Sequence, residues 1–368
     1  MRCALACALL VAAAMLALMA AVPSRGTPLW AGARYAVEDR DRAIQRGLHF
    51  IYQKIARQPA AFRDWGHDLL SCFYNIAETS SNPELREMAW RMGHERALEW
   101  RRINPAPPAK ARADDIAYLV FGTDAAERLG VPGARMRALL REAAARFSPS
   151  DFLWFDPARE PPPSDIPEQC PRCFLQNARG ATRCVRCGAP LTMRDRYDIY
   201  QDALIAAYTG DRAGITLGRH YADVLKWLPT MRPYPPRTAG NDDHYYAGVY
   251  TATHVIYTYN DYSQELVSPA CFPEEFEHLQ RNLREAIADQ DPETMGEYLD
   301  SLRAFGLTFH DRLIQTGIEY VLSAQNRDGS WGDTATADAY ARYHPTWTAI
   351  DGLRDYRWTR VLPCPVFR

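Results

Sequence analysis

The chain has 368 residues, 47% of them hydrophobic and 24% charged, with a formal net charge of −2. That length and apolar content can bury one large core or two smaller ones. The balanced charge supplies no basic field, so the reading includes no nucleic-acid partner.

In chain order, the first expected element is a leader over residues 1–24, a signal peptide or a signal anchor. Arg2 precedes an uncharged apolar run from Ala4 to Val22, and small residues stand at Val22 and Ser24. Cleavage gives a secreted or periplasmic protein. Retention gives a membrane-anchored one, since the run is about as long as the roughly 17–25 residues that span a bilayer. Only in the anchored case is the membrane a partner. Arg25, Arg34, Arg40 and Arg42 follow the run, an asymmetry that would hold an anchored body inside the cytoplasm.

Residues 35–150 read as the first part of a helical body. Asn82-Pro83-Glu84 combines an N-cap, a first-turn proline and an acidic first turn. Residues 151–192 interrupt it with Pro157, Pro161-Pro162-Pro163 and Pro167, a stiff non-helical approach to Cys170-Pro171-Arg172-Cys173 and Cys184-Val185-Arg186-Cys187. Each C-x-x-C turn aims two sulfurs at one point, and two such turns complete a tetrahedron for structural zinc. Iron, a labile redox site or two disulfides are the other readings of the same four thiols. Gly188 suits a tight turn after the last cysteine. With Asn177, Gly180, Ala189, Pro190 and Leu191, the segment resembles short zinc-ribbon modules, with Phe174 in place of their usual glycine. Four closed sulfur ligands leave no position for substrate, so the resemblance implies a structural metal and a surface for a protein partner. The remaining Cys72, Cys271 and Cys364 are expected to form no disulfide framework.

Residues 193–360 read as the second part of the helical body, with helices opening at Arg196-Tyr197-Asp198, Asp242-Asp243, Pro273-Glu274-Glu275 and Asp291-Pro292-Glu293. No segment alternates as a strand would, so the fold class is all-α. Ile44–Ile51 parallels Ile314–Val321, each followed by a Trp-Gly pair, Trp65-Gly66 and Trp331-Gly332. A turn is expected at each pair, then a new helix from about His67 and about Pro345. A looser match links Thr251–His254 to His344–Trp347. Recurring helical hairpins indicate a stacked array.

Gly317, Tyr320, Gln325, Gly329 and Trp331 resemble the QW motif of the terpenoid cyclase and protein prenyltransferase superfamily. That resemblance implies an α/α toroid, with the zinc ribbon inserted, and a glutamine that caps a helix end and stacks on the tryptophan. The family's acids are absent. No D-x-D-D sequence occurs, Asp114-Asp115 and Asp242-Asp243 lack a third aspartate, and Asn260-Asp261-Tyr262-Ser263 has the wrong spacing for a diphosphate-metal site.

In a toroid the inner helices run parallel, so polar residues at their leading ends gather at one rim of a central cavity. The candidate catalytic residues on this argument are His67, Asp68, His244, Tyr245, His254 and His344. Each has a plainer role. His67 and Asp68 can form a surface cap, His344 can cap its helix, His254 can be a hydrogen-bonded core residue, and Tyr245 can be packing. Three functions follow. The first is an enzyme acting on a small molecule or polymer through His and Asp, with a second metal at the histidine cluster as one form. The second is a carbohydrate-active hydrolase or lyase, with Asp68 and Asp198 as an acid/base pair or Tyr245 and His244 as proton abstractors. The third is a non-catalytic scaffold with a plugged cavity and a ribbon that docks a partner.

Overall fold

The computed structural model describes residues 37–367, so the expected leader lies outside the described residues. Fourteen helices carry the described chain: α1 Val37–Phe50, continued by a π-helical turn Ile51–Ala56, α2 Pro59–Thr79, α3 Pro83–Ile103, α4 Ala113–Arg128, α5 Ala134–Ala144, α6 Pro149–Leu153, α7 Arg196–Ala213, α8 Tyr221–Leu225, α9 Leu228–Met231, α10 Asp242–Tyr259, α11 Pro273–Ala288, α12 Pro292–Ala304, α13 Arg312–Ser323 and α14 Ala339–Leu353. The described residues form no strand, only isolated bridges. No helix among them is long and apolar enough to cross a membrane.

Local chemistry sets the helix starts. Asn82 Oδ1 accepts from the Glu84 amide at 2.8 Å and the Leu85 amide at 3.4 Å. Asp291 Oδ1 does the same for Glu293 at 3.0 Å and Thr294 at 3.2 Å. In both cases a proline follows the cap, where its missing N–H costs nothing.

The helices divide by how much of their surface is buried. On α11 the buried residues are Glu275, His278, Leu279, Leu283 and Ala286, one stripe at helical spacing. On α12 every residue from Pro292 to Ala304 except Glu293 is buried. A helix covered on all sides is an inner one. α2 packs on α4, α4 on α7, α7 on α10, α10 on α12, and α12 on α14. The last of these, α14, also touches α2 and α1. Backbone approaches backbone closely where α12 crosses α14: a Cβ added to Gly296 would lie 2.2 Å from the Thr348 carbonyl oxygen.

The turn between α13 and α14 ties the two ends of the body together. Gln325 Nε2 donates to the Ala43 carbonyl at 2.8 Å, and its Oε1 accepts from Arg46 at 3.0 Å. Trp331 is fully buried and donates from Nε1 to the Val321 carbonyl at 2.7 Å. A Cβ on Gly47 would touch its ring at 3.0 Å.

Three expectations are corrected. Trp65-Gly66 is not a turn but lies inside α2, because Gly66 makes room for the Trp100 ring, 3.1 Å from where its Cβ would be. Pro345 does not open its helix. Asp338 caps α14 earlier by accepting from the Tyr340 amide at 2.9 Å, and Pro345 falls within it. Cys271 and Cys364 form a disulfide that joins positions 93 residues apart. Separation in sequence concealed the pair. The bond fixes the C-terminal tail, which also pairs Leu362 N–H with the Leu266 carbonyl at 2.8 Å.

Candidate functional site

Three inner helices carry polar and aromatic residues at spacings of three and four, which places them on one face each. These are Tyr250, His254 and Tyr257 on α10, then Glu293, Glu297 and Asp300 on α12, then Tyr340, His344, Trp347 and Asp351 on α14. The helices abut, and the stripes meet around a cavity of about 50 Å³ whose lining includes His254, Glu297, Asp300, His344, Trp347 and Asp351.

His254 Nδ1 lies 2.8 Å from the Tyr250 carbonyl oxygen. A carbonyl only accepts, so Nδ1 carries the proton and the Nε2 lone pair is free. Burial pulls the imidazole down to about 4, against the pull of the Tyr250 carbonyl. Glu297, 2% exposed, accepts from the Thr253 hydroxyl at 2.6 Å and lies 4.0 Å from His254 Nδ1. Burial pushes its carboxyl up to about 8, although His344 and the Thr253 hydroxyl oppose this. At neutral pH His254 is therefore neutral and Glu297 protonated.

His344 behaves oppositely. Burial would lower it, but Glu293 Oε1 stands 3.0 Å from Nδ1, and with Asp68 and Glu297 it takes the imidazole up to about 9. Glu293 responds in kind: burial would raise it, and His344 holds it below the usual range. The His344 ring stacks on Tyr340 at 4.7 Å. Burial raises the Tyr340 phenol, and Asp68, Glu293, Glu297 and Asp202 raise it further. Four carboxyl groups from three other helices thus stand near one ring, Glu297 among them in its protonated form. Asp202 keeps 49% of its side chain exposed and pairs with Arg194 at 2.5 Å. Deeper in, burial and then Asp351 bring Asp300 up to about 6, and Asp351 pairs with Arg354 at 2.7 Å.

The residues chosen from sequence separate into two sets. His254 and His344 line one cavity, and Asp68 stands close, accepting from the Tyr343 hydroxyl at 2.5 Å. His67 packs on Tyr118 at 4.5 Å, and burial lowers its pKa. His244 lies about three turns before His254, half-exposed, with Nδ1 2.5 Å from Asp195 Oδ2. Tyr245 is fully buried, its hydroxyl 3.5 Å from that of Tyr298. Asp198 is raised to about 6, first by burial and then by Asp195 and Asp202. Sequence reasoning missed Glu293, Glu297, Asp300, Trp347 and Asp351. For the three acids of α12 the signal was their repeat at every third or fourth place along one helix.

Between α6 and α7 lies the four-cysteine cage. The Sγ atoms of Cys170, Cys173, Cys184 and Cys187 fall within 4.8 Å of one another. Cys170 and Cys187 are 3.5 Å apart, as are Cys173 and Cys184. A tetrahedron with 2.3 Å metal–sulfur bonds has edges of ~3.8 Å, so the four thiols fit one zinc-sized ion. The two turns repeat one geometry. Phe174 N–H donates to the Cys170 carbonyl and Gly188 N–H to the Cys184 carbonyl, both at 2.9 Å. Both residues have positive φ, 56° and 70°. Gly188 is suited to this and Phe174 is not. Backbone amides of Arg172 and Cys173 face the Cys170 sulfur, and those of Arg186 and Cys187 face Cys184. Among the described residues no second group of three or more such donors comes as close, so the histidines form no preassembled metal cage.

Comparison of the chain with protein-family models, curated proteins and solved structures finds no match.

Proposed function

We propose that this chain is an enzyme that carries out general acid–base chemistry inside an α/α toroid, with His254 as the base and Glu297 as the acid. One observation carries the reading: two groups in one hollow are displaced in opposite directions, so that at neutral pH the imidazole is held in its proton-accepting form and the carboxyl, against its usual habit, in its proton-donating form. Such divergent displacement is how a site separates a proton acceptor from a donor. Nε2 of His254 takes a proton from the substrate, and Glu297 returns one. The charged His344–Glu293 pair holds an anion that develops beside it, and Trp347 walls off water.

The toroid is supported by the order of contacts. Six inner helices each meet the next, and the last, α14, meets the first, α2. The QW-like turn locking α1 to α13 and α14 agrees with it. The cage is read as a zinc ribbon holding structural zinc, with no part in the reaction. Zinc binds there through the four cysteine sulfurs and supplies folding energy to its loop. Export is supported by the Cys271–Cys364 disulfide, since such bonds persist in oxidising compartments.

Two other readings keep an observation each. Trp347, Tyr257 and Tyr262 share the cavity with Asp300 and Asp351, which favours a carbohydrate substrate. The free volume of about 50 Å³ favours a plugged scaffold. NMR titration separates the acid–base reading from both without a known substrate. His254 is expected to stay neutral down to about pH 4 and Glu297 to ionise near 8. A His254 that titrates at its ordinary 6.5 removes the proposal. In assays over glycan, uronate and ester panels, His254→Gln and Glu297→Gln should each cost roughly 10²–10⁴-fold in turnover.

A further inference from the structure

We infer that the tip of the four-cysteine loop docks on an anionic phospholipid surface, with Phe174 and Val185 entering the headgroup layer. The two side chains are 71% and 81% exposed. They are near one another, because each adjoins one member of the Cys173–Cys184 pair, whose sulfurs are 3.5 Å apart. Phe174 is the more telling. Its φ of 56° is a conformation in which a bulky residue is strained and glycine is at ease. The ring neither packs against the body nor relieves that strain. Its use lies outside the chain.

Charge specifies the partner. From Cys170 to Gly188 the sequence contains Arg172, Arg179, Arg183 and Arg186 and no acidic residue. Arg179 is bound to Glu160 and Asp165 at 2.8 and 2.7 Å, and it faces back into the loop. Arg172, Arg183 and Arg186 are exposed in the same loop, Arg183 donating to the Gly188 carbonyl at 3.1 Å. A zinc ion held by the four thiolates would carry a net charge of −2, which the three other arginines of the loop outweigh. Two apolar tips accompanied by arginines are far short of the ~800 Å² per partner of a stable protein interface. They match interfacial anchoring, in which small apolar insertion and basic charge act together.

The test is hydrogen exchange on the full-length, zinc-loaded chain with vesicles of phosphatidylglycerol or of phosphatidylcholine. Exchange over residues 170–188 should slow about tenfold with the anionic vesicles and little with the neutral ones. Phe174→Gly with Val185→Thr should abolish the slowing. Glycine suits the backbone there and threonine matches valine in shape, so the loop keeps its zinc, as metal analysis would verify. Arg172→Gln with Arg186→Gln should weaken the effect by about fivefold per arginine. Unchanged protection in the Phe174/Val185 variant would overturn the inference. So would equal protection by neutral vesicles, or by polyuridylate at the same salt.

Discussion

Glu297→Gln should make the protein more stable, and by an amount that grows with pH. In the folded chain burial holds the carboxyl neutral up to about 8, whereas unfolded it ionises near 4.5. A folded-state pKa above the unfolded one means that stability is complete below 4.5 and is lost as pH rises through 8. Each pH unit in that interval costs about 1.4 kcal/mol, hence on the order of 3 kcal/mol by pH 7. Glutamine cannot ionise, and its amide oxygen still accepts from the Thr253 hydroxyl, so the variant escapes the loss. The assay is paired urea or thermal unfolding of both proteins at pH 5, 6, 7 and 8. Their curves should nearly coincide at pH 5 and diverge steadily above it. A gap that does not change with pH would show that Glu297 is ionised in the folded state, and the assignment of the acid would go with it.

Other outcomes follow from the same structure. His344 is raised to about 9 by Glu293; removing that partner with Glu293→Gln should abolish the part of the alkaline stability loss that falls between the ordinary 6.5 and 9, seen in melting temperature against pH. Chelation of the loop metal should expose residues 170–188 to protease while the far-ultraviolet helical signal holds, because the side-chain hydrogen bonds of these residues run to other parts of the same loop and not to the helices. Gly296→Ala forces a Cβ to within 2.2 Å of a carbonyl on α14 and should destabilise by about 3 kcal/mol or more in denaturant titration. Trp331→Ala removes a fully buried ring and should cost about 3–5 kcal/mol in the same measurement.

The sequence made some of this readable and hid the rest for physical reasons. Caps announced α3 and α12 because a side-chain oxygen at Asn82 or Asp291 acts on amides two and three residues away, a local interaction with a local signature. The paired C-x-x-C turns were equally local. Gly66 misled because a glycine that clears space for Trp100 looks, in sequence, like one that turns the chain. Pro345 misled in the same manner, since the cap that starts its helix lies seven residues earlier at Asp338. The hollow was half visible. The looser match of Thr251–His254 to His344–Trp347 drew in the two histidines that line one cavity, but it gave no hint that α12 would supply carboxyls to it. Their spacing was there to be read, yet an acid in a helix is ordinary until its neighbours are known to bury it. His244 and Tyr245 were chosen for lying near a helix start, and that says nothing of which side of the helix they occupy. The bond between Cys271 and Cys364 depends on where the tail returns, which no local pattern encodes.

Arg40 on α1 donates to the carbonyl of Leu353 at 3.0 Å, a partner 313 residues further along. Helix α1 therefore stays without this neighbour until the chain has been made as far as Leu353. A chain so arranged remains open through synthesis. Its last hairpin acts as the latch, set only when the end arrives.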